Sequence, residues 1–432
     1  MRYSVVSLLS LALGAIAAPS PEVKSYDGYK VFRVNTHGKQ DIEDKLSAVT
    51  HDEWEHGFQH VDIVVAPGDV NAFEDLKLDY TTLHEDLGTS ITGESVSRKK
   101  WKRQADDESW FDEFHNYEDH IDYFRDLQSQ FANNSKLVSS GKSYQKRNIY
   151  GLHLYGDDGP GKPAVLYHGT VHAREWIAGP TLEYITLQLV KGYKGGDKDV
   201  QSFLNKYDFY IFPFVNPDGF VYSTTADRLW RKNRQPPPAS AANQSCIGRD
   251  INRNWEFGWD SNKQGASTDP CSQVYKGEKP SDSPENQGLD KFVRQLRDTV
   301  GVKFYGQYIL SPFGYKETLY APELGKWTKA AALVSEAIRD SSDDRTTYTF
   351  GPSGAVLYVT TGAAPDHVYS VGGAEFSYTI EQRDTGENGF VLPPEEILPN
   401  AKEQWAGQKV LISLLDEVFF DGKGAALYQA QS

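Results

Sequence analysis

Apolar and polar residues follow patterns along the chain that predict strands and helices, and these patterns divide it into two parts. In the first part, residues 28–34 alternate apolar and polar side chains, as a half-buried strand does, and residues 61–67 form a second strand that ends at proline and glycine. Residues 40–51 and 69–76 carry apolar positions at helical spacing among charges. Two strands and two helices predict a small α+β module between residues 26 and 97.

From Trp110 onward, strand-like apolar runs alternate with helical patterns, and no linker-like break interrupts them. Such alternation is typical of an α/β domain, so we expect a mixed, largely parallel sheet with helices on its faces. The predicted strands are residues 148–154, 164–167, 209–215, 302–305 and 376–380. The predicted helices are residues 181–189, 284–296 and 401–420.

The first residues have the pattern of a secretory signal peptide. A positive charge at Arg2 precedes a short apolar run, and small residues lead to Ala18 before Pro19. We therefore predict cleavage after Ala18 and a secreted, extracellular protein. The run is shorter than the roughly 20 apolar residues of a membrane span, and no other stretch approaches that length, so we expect no membrane partner.

The net charge restricts the partners that we expect, and the two cysteines predict a disulfide. The formal net charge of -15 argues against nucleic acid and anionic membranes as partners. Because secretion permits disulfides and the chain has two cysteines, Cys246 and Cys271, we predict one bridge, with two buried free thiols as the alternative. Two N-glycosylation sequons, which begin at Asn133 and Asn243, are weak motifs that gain weight from a secretory route.

A basic run meets an acidic one just after the first module. Residues 98–103 include five Lys or Arg side chains, and acidic residues follow at 106–108. We interpret this as a processing site at which a dibasic-specific protease cleaves after Arg103; an ordinary solvated linker is the alternative. The predicted organisation is a signal peptide (1–18), an activation prosegment (19–103) and a large domain (104–432).

A histidine and a glutamate follow the predicted strand 164–167. His172 and Glu175 stand three residues apart after a turn at Gly169. A histidine nitrogen and a carboxylate oxygen are ligands that suit zinc, so both side chains could reach one ion. A satisfied surface pair is the ordinary explanation of an isolated His-x-x-Glu, and the further motifs of this chain favour the metal.

Those further motifs combine arginine, amide and carboxylate side chains. Arginine forks suit bidentate recognition of a carboxylate. Surface salt bridges would explain each motif taken alone. The motifs are Asn216-Pro217-Asp218-Gly219, Leu229-Trp230-Arg231-Lys232-Asn233, Asp250-Ile251-Asn252-Arg253-Asn254-Trp255, the loop that contains Tyr358, and Glu381-Gln382-Arg383-Asp384-Thr385-Gly386.

Together these motifs, in this order, resemble the carboxypeptidase A-like zinc peptidases, the funnelin (M14) family, in its fungal secreted type. The resemblance covers the whole chain. It implies a hydrolase made as a zymogen, with a mixed, largely parallel sheet of the eight-stranded type after a small α+β prosegment. It also implies one zinc ion, peptide or protein carboxy-termini as partners, a prosegment that inhibits its own domain, a monomer, and the disulfide Cys246–Cys271.

The resemblance assigns the chemistry to four residues. His172 and Glu175 would be two of the zinc ligands. Glu381 would be the general base toward the zinc-bound water, and Arg231 would stabilise the oxyanion.

Other residues would bind the substrate. Asn252 and Arg253 would clasp its terminal carboxylate, which restricts cleavage to the chain end. Tyr358 would close over the bound substrate, and Arg174 and Arg228 would be secondary contacts.

The base of the pocket for the terminal side chain falls on Pro365 in the resemblance. Members that remove Lys or Arg have an acidic residue there, so an uncharged Pro365 predicts a preference for apolar or aromatic termini. Asp366 is the next residue, and a shift of one position would reverse this prediction.

The third zinc ligand of the family, a histidine in the pattern His-Ser-Tyr-x-Gln, is absent from residues 301–315. In an ungapped layout Lys303 takes the ligand position, where its cation would repel zinc. In a gapped layout residues 302–305 are the strand, and about six residues, the histidine among them, are missing before Gly306. We favour the gap, because the strand pattern then continues.

A site with two protein ligands would hold zinc poorly, so we expect weak or no activity of this exact sequence and activity once the absent segment is restored. The alternative is an inactive pseudo-carboxypeptidase that binds peptide carboxy-termini. His168, His153 and His367 have no positive support as substitute ligands, and we expect structural roles for them.

Overall fold

The computed structural model describes residues 23–38, 40–57, 59–94, 96, 108–306, 309–345, 347–379 and 388–416. The strands are β1 (Lys30–Asn35), β2 (His51–His56), β3 (His60–Val65), β4 (Tyr80–His84), β5 (Ser135–Lys142), β6 (Asn148–Leu154), β7 (Ala164–His168), β8 (Asp208–Phe212), β9 (Val302–Gly306), β10 (Leu310–Ser311), β11 (Gly351–Pro352) and β12 (Phe376–Tyr378). The α-helices are α1 (Gln40–Leu46), α2 (Val70–Glu74), α3 (Leu87–Glu94), α4 (Tyr117–Gln130), α5 (Ala178–Gly195), α6 (Lys198–Lys206), α7 (Pro217–Thr225), α8 (Pro284–Thr299), α9 (Leu324–Ser341), α10 (Ser353–Val356), α11 (Ala364–Ser370) and α12 (Ile397–Ser413). In these ranges no helix has both the length and the apolar character that a bilayer crossing needs.

The first module is an antiparallel sheet in the order β2-β3-β1-β4, with α1 and α2 packed on one face. Its core includes Phe32 and Phe73, whose rings stack at 4.3 Å. The predicted count of two strands was too low, and the predicted helix 40–51 ends at Leu46. Strands β2 and β4 lie at the edges of the sheet, where exposed polar side chains weaken the apolar alternation that marks a strand.

The large domain has a six-stranded sheet in the order β12-β9-β7-β8-β6-β5. The pairings from β12 to β8 are parallel, and those of β6 with β8 and with β5 are antiparallel. The mixed, largely parallel α/β sheet is therefore confirmed. In the part of the chain that is described six strands form this sheet, and β10 and β11 pair with each other beside it, where Leu310 of β10 exchanges backbone hydrogen bonds with Thr379, the residue after β12.

Strand β7 is buried along its whole length, and its side chains alternate between two cores. Val165 and Tyr167 face the layer of α5, α9 and α12, whereas Ala164 and Leu166 face the layer of α8 and α11. Burial on both faces explains why this strand is a continuous apolar run. The segments that follow β7 and β8 leave the sheet at the same edge, because the two strands are parallel.

Several helices and strands begin or end at other residues than the sequence predicts. The helix predicted at residues 181–189 spans residues 178–195, and that predicted at 401–420 spans residues 397–413. The strand predicted at residues 209–215 ends at Phe212, because Pro213 has no N–H to continue the ladder. Cys246 and Cys271 form the predicted bridge. The signal peptide, the basic run 98–103 and residues 380–387 and 417–432 lie outside the described residues.

Candidate active site

The turn after β7 directs His172 and Glu175 toward one point. His172 Nδ1 lies 2.8 Å from Glu175 Oε1, and the Glu175 N–H donates to the His172 carbonyl at 3.2 Å. The two side chains predicted to share an ion are thus already neighbours through one local turn. A nitrogen and an oxygen at this separation can occupy two corners of a tetrahedral zinc site.

Asp250 connects this pair to Arg231. Its Oδ1 lies 3.1 Å from His172 Nε2, and its Oδ2 accepts from Arg231 Nε at 3.1 Å and from Arg231 Nη2 at 2.8 Å. Burial alone would raise the pKa of Asp250, but the Arg231 guanidinium and the His172 imidazole outweigh it and hold this pKa well below its ordinary value. The carboxylate is therefore ionised and orients both partners.

Asn216 fixes the backbone around the same point. It is the N-cap of α7, where its Oδ1 accepts from the Gly219 N–H at 3.0 Å, and Pro217 occupies the first helical turn. Its Nδ2 donates to the Val171 carbonyl at 3.0 Å and also reaches the carbonyl of Arg231. The Asn-Pro-Asp-Gly motif thus ties the turn before His172 to the segment that carries Arg231.

Arg253 and Asn252 follow Asp250 in a short 3-10 helix, Ile251–Arg253. Asn252 Oδ1 accepts from the Ala364 N–H at 2.9 Å. The Arg253 side chain is buried, and its Nη1 donates to the Asn252 carbonyl at 3.0 Å, but its buried Nε–H has no hydrogen-bond acceptor among the residues that the structure describes. A buried guanidinium with an unused donor is suited to an anionic group such as a carboxylate.

The Asp366 carboxylate is turned into the protein. Both of its oxygens accept from the Gly314 N–H, at 3.0 and 2.9 Å, and the residue is 1% exposed. Burial raises the pKa of Asp366 to about 7. The preceding residue, Pro365, is also buried, in the first turn of α11.

Two arginines of the site contact the first module. Arg174 donates to the Trp54 carbonyl at 3.3 Å, and its guanidinium lies 4.1 Å from the centre of the Phe390 ring. Burial and the nearby Arg231 lower the pKa of Arg174 to about 10.

Arg228 forms a buried, bidentate pair with Glu94 of α3. The distances are 2.5 Å from Nε and 2.6 Å from Nη2 to the two carboxylate oxygens of Glu94. Tyr358 is 42% exposed and close enough to Arg231 to interact with it electrostatically. Glu381 lies outside the described residues.

Comparison with known proteins identifies the family. A sequence model of the M14 peptidases, described as zinc carboxypeptidase, matches residues 120–407. The chain belongs to the zinc carboxypeptidase family. A metallocarboxypeptidase A-like protein of Trichophyton verrucosum is 38% identical over 95% of this chain and 98% of its own length. Zinc carboxypeptidase A 1 of Anopheles gambiae is 32% identical over 95% of this chain and 94% of its own.

Two solved structures share the fold. The carboxypeptidase A of Helicoverpa armigera superposes with a TM-score of 0.76 at 25% identity, over 90% of this chain and 98% of that one. Thrombin activatable fibrinolysis inhibitor superposes with a TM-score of 0.79 at 24% identity, over 89% and 98%. The family resemblance, the fold and the class of enzyme predicted from the motifs, a zinc metallocarboxypeptidase, are confirmed.

In this carboxypeptidase the strand that would lead to the third ligand is β9, which has five residues, as β7 and β8 have. Pairing of β9 with β7 runs from Val302, opposite Ala164, to Tyr305, opposite Leu166. The pairing of β7 with β8 continues to His168. Lys303 is the second residue of β9, and its amine lies 2.7 Å from a Glu375 carboxylate oxygen. Because β9 runs parallel to β7 and His172 follows the end of β7, Lys303 lies at the opposite end of the sheet from His172.

Among the residues that the structure describes, no third His, Cys, Asp or Glu completes a metal-ligand group with His172 and Glu175. Three possible ligands that lie close together, Glu55, His60 and Asp62, are in the first module. There Asp62 is already paired with the guanidinium of Arg33.

The three histidines weighed as substitutes are buried. His168 is buried, and burial lowers its pKa to about 3. His153 Nε2 lies 3.1 Å from Asp208, and His367 Nε2 lies 2.6 Å from Asp290.

Proposed function

We propose that this member of the family is a secreted proenzyme that removes carboxy-terminal residues from peptides and acts as a monomer. The observation that carries the proposal is that one buried carboxylate, Asp250, orients His172 and Arg231, while Arg253 keeps a buried donor unused beside it. Residues that would meet a scissile carbonyl and a terminal carboxylate thus converge although they are distant in sequence.

In this proposal Arg253 and the Asn252 amide group hold the terminal carboxylate of the substrate. Arg231, kept in place by Asp250, directs its charge toward the oxygen of the scissile carbonyl as negative charge develops there. Tyr358, which is 42% exposed, covers the bound end. Glu381 is proposed as the group that takes the proton from the attacking water and returns it to the leaving amine.

Zinc, when bound, would supply the Lewis acid that activates the water. His172 and Glu175 fit two positions of such a site, but a catalytic zinc normally has three protein ligands. The position of Lys303 at the start of β9, where its amine pairs with Glu375, supports the gapped layout, in which the histidine is missing. We therefore propose that the exact sequence binds zinc weakly and hydrolyses peptides slowly.

The segment 19–103 is proposed as an inhibitor that is released after Arg103. Its described part engages two arginines proposed to contact substrate, through the Glu94 carboxylate on Arg228 and the Trp54 carbonyl on Arg174. A peptide could not use these donors while the segment holds them.

A preference for apolar or aromatic termini is supported by the environment of Asp366. Its carboxylate is committed to the Gly314 backbone, and its raised pKa disfavours the charged form that would attract a terminal Lys or Arg. Pro365 contributes no charge.

The second candidate function is a pseudo-carboxypeptidase that binds peptide ends without cleaving them. The missing ligand favours it, and Arg253 with its unused donor would serve it equally well.

The test compares the chain as given with a repaired chain that carries about six additional residues, including His-Ser-Tyr, between Tyr305 and Gly306. Both are cleaved after Arg103, and zinc content is measured by elemental analysis together with hydrolysis of a peptide that ends in Phe, with and without a chelator. We expect little zinc and slow hydrolysis for the chain as given, and one zinc with chelator-sensitive hydrolysis after repair.

The control carries the same insertion with alanine in place of its histidine, which should leave both readouts low. Stoichiometric zinc bound by the domain of the unrepaired chain would refute the gap. A repaired chain that binds zinc and peptide but does not hydrolyse would favour the pseudo-carboxypeptidase.

A further inference from the structure

The serine hydroxyl groups of the two glycosylation sequons differ in their exposure and in their hydrogen bonds. At the second, Asn243 and Ser245 are both exposed. The Asn243 Oδ1 accepts from the Ser245 N–H at 3.0 Å and from the Ser245 hydroxyl at 2.6 Å. The acceptor amide and the hydroxyl that defines the sequon are therefore adjacent and accessible.

At the first sequon Asn133 is exposed, but Ser135 is not. Ser135 is the first residue of β5 and is 2% exposed. Its hydroxyl donates to the Phe131 carbonyl at 2.7 Å, at the end of α4. This sequon is masked as soon as the local α4–β5 unit forms, since its hydroxyl is then buried.

The loop that carries Asn243 is closed by a backbone hydrogen bond and by the disulfide. The Gly248 N–H donates to the Gln235 carbonyl at 2.8 Å, and Cys246 bonds to Cys271, 25 residues further along the chain. The bridge requires oxidation and the synthesis of residues beyond the sequon, so Asn243 stays accessible longer than Asn133.

We propose that Asn243 carries an N-linked glycan and that Asn133 is left largely unmodified. In the transfer, Asn243 Nδ2 loses one proton and bonds to the anomeric carbon of an oligosaccharide, and the lipid pyrophosphate that carried the sugar leaves with the electron pair of the broken bond. The proposal shares only its secretory route with the proposed function and does not involve zinc.

The experiment uses the chain from Pro19 onward behind a secretion signal of a yeast host, so that entry into the secretory route does not depend on residues 1–18. The variants are Asn243→Gln, Ser245→Ala, Ser245→Thr and Asn133→Gln. Intact mass is measured before and after treatment with peptide N-glycosidase, and peptide mass mapping detects conversion of the modified asparagine to aspartate.

We expect the parent, Ser245→Thr and Asn133→Gln to carry one glycan, and Asn243→Gln and Ser245→Ala to carry none. The unfolding midpoints of Asn243→Gln and Ser245→Ala should match that of the enzymatically deglycosylated parent, because both side chains are exposed. An unmodified Asn243 peptide in the secreted parent, or loss of the glycan in Asn133→Gln alone, would overturn the proposal.

Discussion

At the scale of single residues, Asp250 connects several groups of the site. Its Oδ1 lies against His172 Nε2 and accepts from the Asn252 N–H at 2.8 Å, and its Oδ2 accepts from Arg231. One carboxylate thus aligns a prospective zinc ligand, a prospective oxyanion donor and the backbone that leads to Arg253. A carboxylate behind a metal-ligating histidine is a common device for fixing the imidazole.

Replacement of Arg253 by alanine should weaken the binding of peptides with a free carboxy-terminus by about 10- to 100-fold, since a hydrogen bond to a charged group contributes about 1.5–3 kcal/mol. The measurement is calorimetric titration of the chain cleaved after Arg103 and freed of its first segment. Arg125→Ala, at a surface pair, is the control. Equal weakening for the corresponding peptide amide would contradict a role in carboxylate recognition.

Asp366 should make stability depend on pH. Its pKa is about 7 in the folded protein and close to 4 when unfolded, so the folded state binds the proton more tightly between these values. The parent should therefore lose stability relative to Asp366→Asn as pH rises from about 4 to 7, by up to about 4 kcal/mol, with a plateau above.

Urea unfolding at a series of pH values checks this prediction. The control is Asp122→Asn, which removes an exposed carboxylate that pairs with Arg125. A constant difference between Asp366→Asn and the parent from pH 5 to 8 would contradict the assignment.

At the scale of elements, α3 carries a buried polar contact between the first module and the domain. Its last residue, Glu94, is buried against Arg228, whose guanidinium also stacks on Trp176 at 3.8 Å. Helix α3 and the loop that contains Phe390 therefore meet around one ion pair.

Glu94→Gln should make the first segment dissociate more readily after cleavage at Arg103, with a dissociation constant raised by about 100-fold, because it leaves the Arg228 charge buried and unpaired. Gel filtration of the cleaved complex at a series of dilutions gives this constant. Glu85→Gln is the matched control in the same module, since its pair with Lys30 is largely exposed. Similar constants for both variants would argue against the contribution of this pair.

The strands also show which elements the sequence patterns can predict. Strands β6, β7 and β9 were predicted to within one residue at each end, because central strands are continuous apolar runs. Strands β2 and β4 were missed, since edge strands expose one side of each pair to water and need no such run.

At the scale of the whole molecule, an apolar cluster joins the two modules. Trp54 and Leu87 of the first module pack with Leu229 and Val391 of the domain. The Trp54 ring also lies edge to face against Phe390, at 5.5 Å. This cluster surrounds the contacts of Arg174 and Arg228, so that removal of the first module exposes apolar surface and both guanidinium groups at once.

The disulfide constrains the long loop between Arg231 and the helix α8. Replacement of Cys246 and Cys271 together by serine should lower the free energy of unfolding by about 3 kcal/mol, because the reduced chain gains loop entropy when unfolded. Urea unfolding of the double variant measures the loss. Reductant should produce the same loss in the parent and none in the variant. A double variant with the midpoint of the parent, or a parent whose midpoint does not change in reductant, would contradict the prediction.

The sequence by itself determined the family, the fold class, the disulfide and the residue types of the site. These follow from local information: apolar runs specify buried strands, and each chemical motif is a short stretch that follows one of them. The absence of a histidine between Val302 and Tyr315 is likewise visible in the sequence alone.

Tertiary structure alone decided how the distant stretches act on one another. Asp250 reaches His172 across 78 residues, Glu94 reaches Arg228 across 134, and Lys303 is held at the far end of the sheet by Glu375. The direction of the Asp366 carboxylate was decided in the same way, by a backbone N–H 52 residues away. Such contacts depend on which strands become neighbours and which groups are buried together, and no local pattern of side chains carries that information.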